Sequence, residues 1–226
     1  MNPFKVPMSI VRDHKSFLDE IAQEKGTKEK IVSLSISTFL FFAVYGAIVG
    51  AGHSFGQSLL SAAKLPILFL LTLVICFPTL YIFNTLFGSS QKAGQYFALL
   101  LSCISVTSLL LIAFAPITLF FLLTTRHYQF FKLLNVAILT ISGLFGVRYF
   151  YQGMRSVTPS EKTEGSMLQR ILLLWIVLYA FVGSQLAWTI RPFFGSPDKP
   201  SQIVRELGGN FYTDIIKAIS EILGFH

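Results

Sequence analysis

The chain has 226 residues, 53% of them apolar and 13% charged, with a mean hydropathy of +0.65. A soluble domain carries roughly 25% charged residues, so the composition excludes an ordinary water-facing surface and a disordered chain, and points to an integral membrane protein. Lys and Arg total 18 against 11 Asp and Glu, a net charge of +7; in a membrane protein such an excess sets topology and meets anionic lipid headgroups. No basic run is interleaved with base-stacking aromatics, so no nucleic-acid partner is expected.

Residues 1–30 form a polar tail of mixed charge. Its acids, among them Asp13, Asp19, Glu20, Glu24 and Glu29, do not suit a cleavable signal or transit peptide. Ile10, Phe17, Leu18 and Ile21 recur at helical spacing, which predicts an amphipathic helix over about 9–24. It would lie either on the membrane surface or against the protein's own loops. Gly26 is expected to end it and Thr27 to cap the next helix.

Five apolar stretches come next, at about 31–51, 65–87, 96–124, 129–151 and 171–190. Each is near or above the ~20 residues that span a ~30 Å hydrocarbon core. The third is too short to divide into two crossings, and Pro116 within it predicts a kink or tilt. The expected fold is therefore an all-α bundle of five transmembrane helices spanning residues 31–191, with amphipathic helices at both ends. Residues 52–64 read as a surface turn of helix, and 152–170 as a polar loop. Residues 192–226 hold a Pro/Gly-rich turn, then an amphipathic helix with Phe211, Ile215, Ile219 and Ile222 on one face and Asp214, Lys217 and Glu221 opposite. The balance of Lys and Arg outside the spans favours a cytoplasmic N-terminus and a C-terminus on the other side.

The chemistry is marked by an absence from the sequence. Between Glu29 and Glu161 there is no Asp or Glu, and the fifth stretch has none. Embedded carboxylates for proton coupling, Mg²⁺ ligands for lipid pyrophosphates and the carboxylate pair of a glycosidase are all missing there. No nucleophile elbow, zinc-protease motif or phosphate loop occurs. His14, His53, His127 and His226 show no metal spacing, and a dyad of His53 with Ser54 or Ser58 lacks support from local spacing. No enzyme, cofactor or metal is expected. Cys76 and Cys103 read as small core residues.

What remains is packing and charge. Gly46-Ala-Ile-Val-Gly50 places two small residues at the spacing that lets helices approach closely, either inside the monomer or at a dimer seam. Pro78 predicts a kink whose freed backbone groups Thr79 and Asn84 are placed to bond. Gln185 and Trp188 are candidates for interhelical polar contacts. Lys132, Arg148 and Arg191 are candidate contacts for an anion or headgroup, Lys132 and Arg148 by snorkelling and Arg191 at the close of the last span.

Several runs carry a resemblance. Lys64-Leu-Pro-Ile-Leu-Phe-Leu-Leu-Thr-Leu, Phe83-Asn-Thr-Leu-Phe-Gly88 and Gly94-Gln95-Tyr96 resemble the five-span membrane domain of the Yip-like superfamily. Tyr45-Gly-Ala-Ile-Val-Gly-Ala-Gly-His53, Ala115-Pro-Ile-Thr-Leu-Phe-Phe121 and the stretch from Phe181 through Trp188-Thr-Ile-Arg191 to Pro197 look like a bacterial family of uncharacterised multi-pass proteins. Some of that family's members carry an automatic actin-binding label of the Wiskott–Aldrich homology type. The resemblance covers most of residues 31–215. It implies a five-helix bundle in a bacterial envelope and no activity; the inner membrane is the expected location. The function expected is that of a non-enzymatic scaffold or adaptor, with a homo-oligomer or another membrane protein as partner. The alternative is a channel or carrier for an anion or lipid.

Overall fold

The structure is a computed structural model and describes residues 5–86, 91–125, 127–157 and 165–193, with 212, 213, 215, 216 and 220 of the tail. Its helices are α1 (Lys5–Arg12), α2 (His14–Ala22), α3 (Thr27–Ala51), α4 (Phe55–Leu86), α5 (Ala93–Thr124), α6 (Tyr128–Val157) and α7 (Gly165–Thr189). The last five are each long and apolar enough to cross a membrane. At ~1.5 Å per residue α4 and α5 reach about 48 Å, well beyond a ~30 Å core, so their ends project or the helices tilt.

Consecutive spans run antiparallel, as do α4 and α7. Gly46 faces Ser61 and Gly50 faces Gln57 across α3 and α4, Gly153 faces Leu99 across α5 and α6, and Trp175 bonds the Cys76 carbonyl across α4 and α7. The bundle thus has a proximal end, where α3 begins, and a distal end, where α3 finishes. α5 is the central element and packs on α3 and α6. Its Ser102 and Ser108 hydroxyls turn back onto the carbonyls of Ala98 and Ser105 at 2.7 and 2.8 Å. Small self-satisfied side chains let neighbouring backbones come close without an unmet polar group.

The structure departs from the sequence reading at several points. α4 starts at Phe55, so residues 55–64 are the first turns of the second span and not a separate surface turn. Ser54 Oγ accepts from the Gln57 amide at 3.2 Å, the geometry of an N-cap, which accounts for the helix beginning there. The helix then continues through Pro66 and Pro78, and α5 continues through Pro116. Asn84 bonds the Leu80 carbonyl, one turn back in its own helix, at 2.8 Å; Pro78 instead removes the partner of the Val74 carbonyl. Finally, α6 and α7 extend into the polar loop, to Val157 and from Gly165.

The N-terminal segment is two helices, not one. Asp13 interrupts it, and its Oδ1 accepts from the Ser16 amide at 3.2 Å, capping α2. The apolar stripe is turned inward: Ile10, Phe17, Leu18 and Ile21 are buried against α3, α5 and α6. Burial of each large side chain is worth ~1.5–3 kcal/mol relative to water. Gln95 Nε2 donates to the Ile21 and Ala22 carbonyls at 3.2 and 2.8 Å, satisfying the open C-terminus of α2. Lys30 pairs with Glu20 at 2.6 Å, and Lys92 pairs with Glu24 at 2.7 Å. The chain turns into α3 at Gly26, whose φ of +63° suits glycine. Gly26, and not Thr27, occupies the cap position, and Thr27 is the first helical residue.

The described part of the C-terminal amphipathic helix is Tyr212, Thr213, Ile215, Ile216 and Ser220, all helical. Ser184 and Tyr212 share a hydroxyl contact of 3.1 Å. Phe211, Asp214, Lys217, Ile219, Glu221 and Ile222 lie outside the described residues, as does the turn from Phe194 to Pro197.

Candidate functional site

The α3–α4 seam is closed by glycine. A Cβ at Gly46 would collide with the Ser61 carbonyl, and one at Gly50 would stand 2.5 Å from the Gln57 carbonyl oxygen and 2.8 Å from Ser58 Cα. The pair therefore packs inside the monomer. Ser58 Oγ donates to the Ala47 carbonyl at 2.8 Å across the same seam.

Behind it lies a buried polar cluster that joins three helices. Tyr45 of α3 donates its hydroxyl hydrogen to Asn135 Oδ1 of α6 at 2.8 Å, so Thr118 of α5 donates to Tyr45 across 3.2 Å. Asn135 Nδ2 returns to the Phe131 carbonyl at 2.9 Å. All three side chains are fully enclosed. Their pairing consumes polar capacity that a solute path through the bundle would need.

α7 is attached differently. It packs on α4 and barely meets α6. Trp175 Nε1 donates to the Cys76 carbonyl at 2.9 Å, and the Tyr179 hydroxyl reaches the Phe69 carbonyl at 3.4 Å. The Trp175 ring also meets Phe150 of α6, with centroids 5.3 Å apart, and two clefts open beside these rings between α6 and α7. The distal one, about 270 Å³, is lined by Tyr45, Ser61, Val136, Ser184, Ala187 and Phe193 among others. The proximal one, about 280 Å³, is lined by Leu100, Cys103, Gly143, Phe150 and Trp175 among others. Phe69 and Thr140 border both, so the two apolar clefts adjoin along the interval between α6 and α7 and together are termed the groove.

The distal end of this groove carries a polar clasp. Gln57, Ser61 and Lys64 sit on one face of α4 at helical spacing and are all buried. Gln57 Nε2 and Lys64 Nζ both donate to the Pro192 carbonyl, at 2.8 and 3.0 Å, and Ser61 Oγ donates to the Phe193 carbonyl. The carbonyls beyond the end of α7 thus receive donors from α4.

The expected cation set is divided by the fold. Lys132, buried on α6, and Arg191, half-buried after α7, lie at the distal end. Arg148 is exposed and 16 residues further along α6, about 24 Å toward the proximal end. The Arg191 guanidinium sits 3.4 Å from the centroid of the Trp188 ring, a cation–π contact within one chain segment. The Gln185 carbonyl accepts from Thr189 at 2.8 Å. The polar bonds described from α7 to α4 come from Trp175 and Tyr179, which the sequence reading passed over as apolar-stretch residues. Gln57, Tyr45, Thr118 and Asn135 were missed likewise. A signal existed for some: Gln57, Ser61 and Lys64 recur at i, i+4 and i+7 ahead of an apolar run. His53 Nδ1 lies 3.2 Å from Ser54 Oγ, the same hydroxyl that caps α4. Among the described residues no cluster of His, Cys, Asp or Glu suits a metal, and both cysteines are free thiols.

Comparison with known proteins finds no family model, no curated protein and no solved structure that matches the chain.

Proposed function

We propose that this membrane protein is a non-enzymatic scaffold or adaptor, and that α7 is the element through which it holds a partner in the plane of the bilayer. The observation that carries this reading is the uneven seating of the spans. Only 11% of the most apolar stretch of α7 is buried, against 33–56% in the other four. Leu173, Leu174, Val177 and Phe181 face outward in a row. Helices in lipid associate through packing and a few polar bonds, and a span so thinly packed on its own bundle has surface left for a neighbour. The α1–α2 segment packs at the proximal end, for which the charge balance favours the cytoplasm. The resemblance to bacterial five-span proteins agrees with an inner-membrane location.

Purification in mild detergent with native partners tests the reading. A stoichiometric complex or a defined oligomer, crosslinked through cysteines placed at Leu174 or Phe181, is the expected result. Persistent recovery of a lone monomer, with no crosslinks from those positions, would sink it. A second reading, a carrier for an anion or a lipid, is favoured in its lipid form by the apolar lining of the groove. Flux assays in liposomes separate the two, since a scaffold moves neither anions nor lipids above the rate of empty vesicles.

A further inference from the structure

We infer that α1 is an interfacial membrane anchor: Pro7 and Ile10 hold it to the bundle, and its opposite face, Met8 and Val11, enters the acyl-chain boundary of the proximal leaflet.

The ties along α2 set the depth. The His14 ring lies beside Tyr149 of α6, with centroids 6.1 Å apart. Four residues further along both helices, Leu18 Cδ2 would stand 3.0 Å from a Cβ at Gly153. α2 therefore runs outward beside the last turns of α6, in the same direction. Its outer end and the turn beyond are held at the start of α5, where Gln95 takes the Ile21 and Ala22 carbonyls and Lys92 takes Glu24. α1 precedes His14, so it joins α2 at the inner end. The chain does not double back between them, because the Asp13 amide still donates to the Ser9 carbonyl at 2.9 Å and the Phe17 amide to the Asp13 carbonyl at 3.2 Å. Tyr149 stands about 9 Å inside the end of the α6 span at Arg155. α1 thus meets α2 at the depth where tyrosine and tryptophan line a bilayer interface.

The chemistry of α1 suits that depth. Between Lys5 and Arg12 the run Val6-Pro7-Met8-Ser9-Ile10-Val11 carries no charge. Pro7 has no amide hydrogen to leave unpaired in the first turn, and Ser9 Oγ donates to the Val6 carbonyl at 2.7 Å. Pro7 and Ile10 are buried. Met8 and Val11, three residues apart on the other face, are 67% and 69% exposed, as open as Leu173 and Val177 on the outward face of α7, at 65% and 62%. Arg12 is exposed in the last turn, from where a long basic side chain reaches the headgroups. The Asp13 carboxylate is turned onto the Ser16 amide as the cap of α2. Area selects lipid over a protein partner. Two side chains offer far less than the ~800 Å² per partner of a stable protein interface, whereas an interfacial helix gains from each apolar side chain it inserts.

The anchor requires neither a partner nor a cargo, so it stands apart from both readings above. The full-length chain is reconstituted in phosphatidylcholine vesicles doped with a phosphatidylcholine that carries a diazirine in its acyl chain, and photolabels are mapped by tandem mass spectrometry. A second sample receives a water-soluble diazirine instead. Lipid label on Met8 and Val11 is expected within about twofold of that on Leu173 and Val177, because an interfacial helix buries its apolar face ~5–10 Å into the boundary. The water-soluble probe should mark Lys15, Ser16 and Asp19, which are exposed on α2, and spare Met8 and Val11.

Water label on Met8 and Val11 without lipid label overturns the proposal, and so does the absence of both labels, which would mean that protein covers this face. Val11→Glu supplies an independent readout. It should lower the thermal midpoint of the reconstituted chain by a few degrees, whereas Ser16→Glu should not lower it. A midpoint for Val11→Glu equal to the parent's places the residue in water and likewise refutes the anchor.

Discussion

The two seams of α4 are opposites. Against α3 it presents backbone to backbone, because Gly46 and Gly50 leave no side chain between them. Against α7 it meets Trp175 and Tyr179, whose rings fill the interval and whose polar atoms fasten to α4 carbonyls. At its glycines the first seam admits nothing between the two helices, though its edge at Gly46 and Ser61 borders the distal cleft; the second leaves open space at its flank. Small residues in a membrane bundle make contacts that admit nothing else, whereas large rings with polar tips make hinges of fixed length with space at their flanks. In this chain the chemistry that remains for a ligand lies beside the second kind.

The largest expected effect breaks the first seam. Gly50→Leu puts a side chain where the Gln57 carbonyl and Ser58 Cα already stand. Overpacking of this kind costs about 3 kcal/mol or more, and the neighbours here are backbone, which cannot rotate away. We expect loss of a monodisperse peak in size-exclusion chromatography. Gly146→Ala is a milder form of the same test. Its Cβ would stand 2.9 Å from the Cys103 carbonyl and would also press on the Thr107 hydroxyl, so a lower thermal midpoint, equivalent to about 1–3 kcal/mol, is expected. An unchanged midpoint for either variant would mean that the seams are looser than these contacts require.

Next comes the buried cluster. Asn135→Leu removes the acceptor of the Tyr45 hydroxyl and leaves that donor with Thr118 alone. A loss of about 1–2 kcal/mol is expected. The double variant with Tyr45→Phe should recover part of it, because both polar groups are then gone. Two additive losses in thermal unfolding would show that the two side chains are not coupled.

The second seam should break more gently. Trp175→Phe keeps most of the ring and removes only the N–H to the Cys76 carbonyl; interhelical bonds in lipid average about 0.6 kcal/mol. The visible consequence should be local: cysteines placed on α7 become more accessible to a membrane-permeant thiol reagent, while the bundle's main unfolding transition stays in place. A global loss as large as that of Gly146→Ala would contradict the separation between the seams.

Much of this was open to reading in the sequence. Length and hydropathy mark the five crossings, since the requirement to satisfy every backbone group in lipid leaves helices as the choice for such stretches. Gly46 and Gly50 were legible as a close-approach pair, but not which helix they meet. That depends on the opposing register of Gln57 and Ser61, whose helix start was hidden by the mild polarity of residues 52–64. The division of Lys132 from Arg148 follows directly from 3.6 residues per turn and needed no structure. The groove was invisible. It arises from what α7 does not touch, and a helix that is apolar all round does not declare which face meets its neighbours. The inward turn of α1 and α2 was one of two possibilities, because an amphipathic stripe suits a membrane surface and a bundle end equally. Gln95, reaching the α2 carbonyls from the next hairpin, is the tie that periodicity could not show.

The smallest effect gives the finest test of the contrast between packed and open faces. Gly143 and Gly146 are three residues apart on α6, yet a Cβ at Gly143 would meet nothing within 4 Å. It borders the proximal cleft, so Gly143→Ala adds a methyl to open space. The backbone gain of alanine over glycine in a helix, up to ~1 kcal/mol, is then unopposed by any clash. The thermal midpoint of Gly143→Ala should equal or slightly exceed that of the parent, while Gly146→Ala falls below it. If the two alanine variants lose stability alike, the space beside Gly143 is already filled in the detergent-solubilised protein. Delipidation then tells by what: a midpoint for Gly143→Ala that rises to the parent's once lipid is stripped identifies the filler as a bound chain, and one that stays low identifies it as protein.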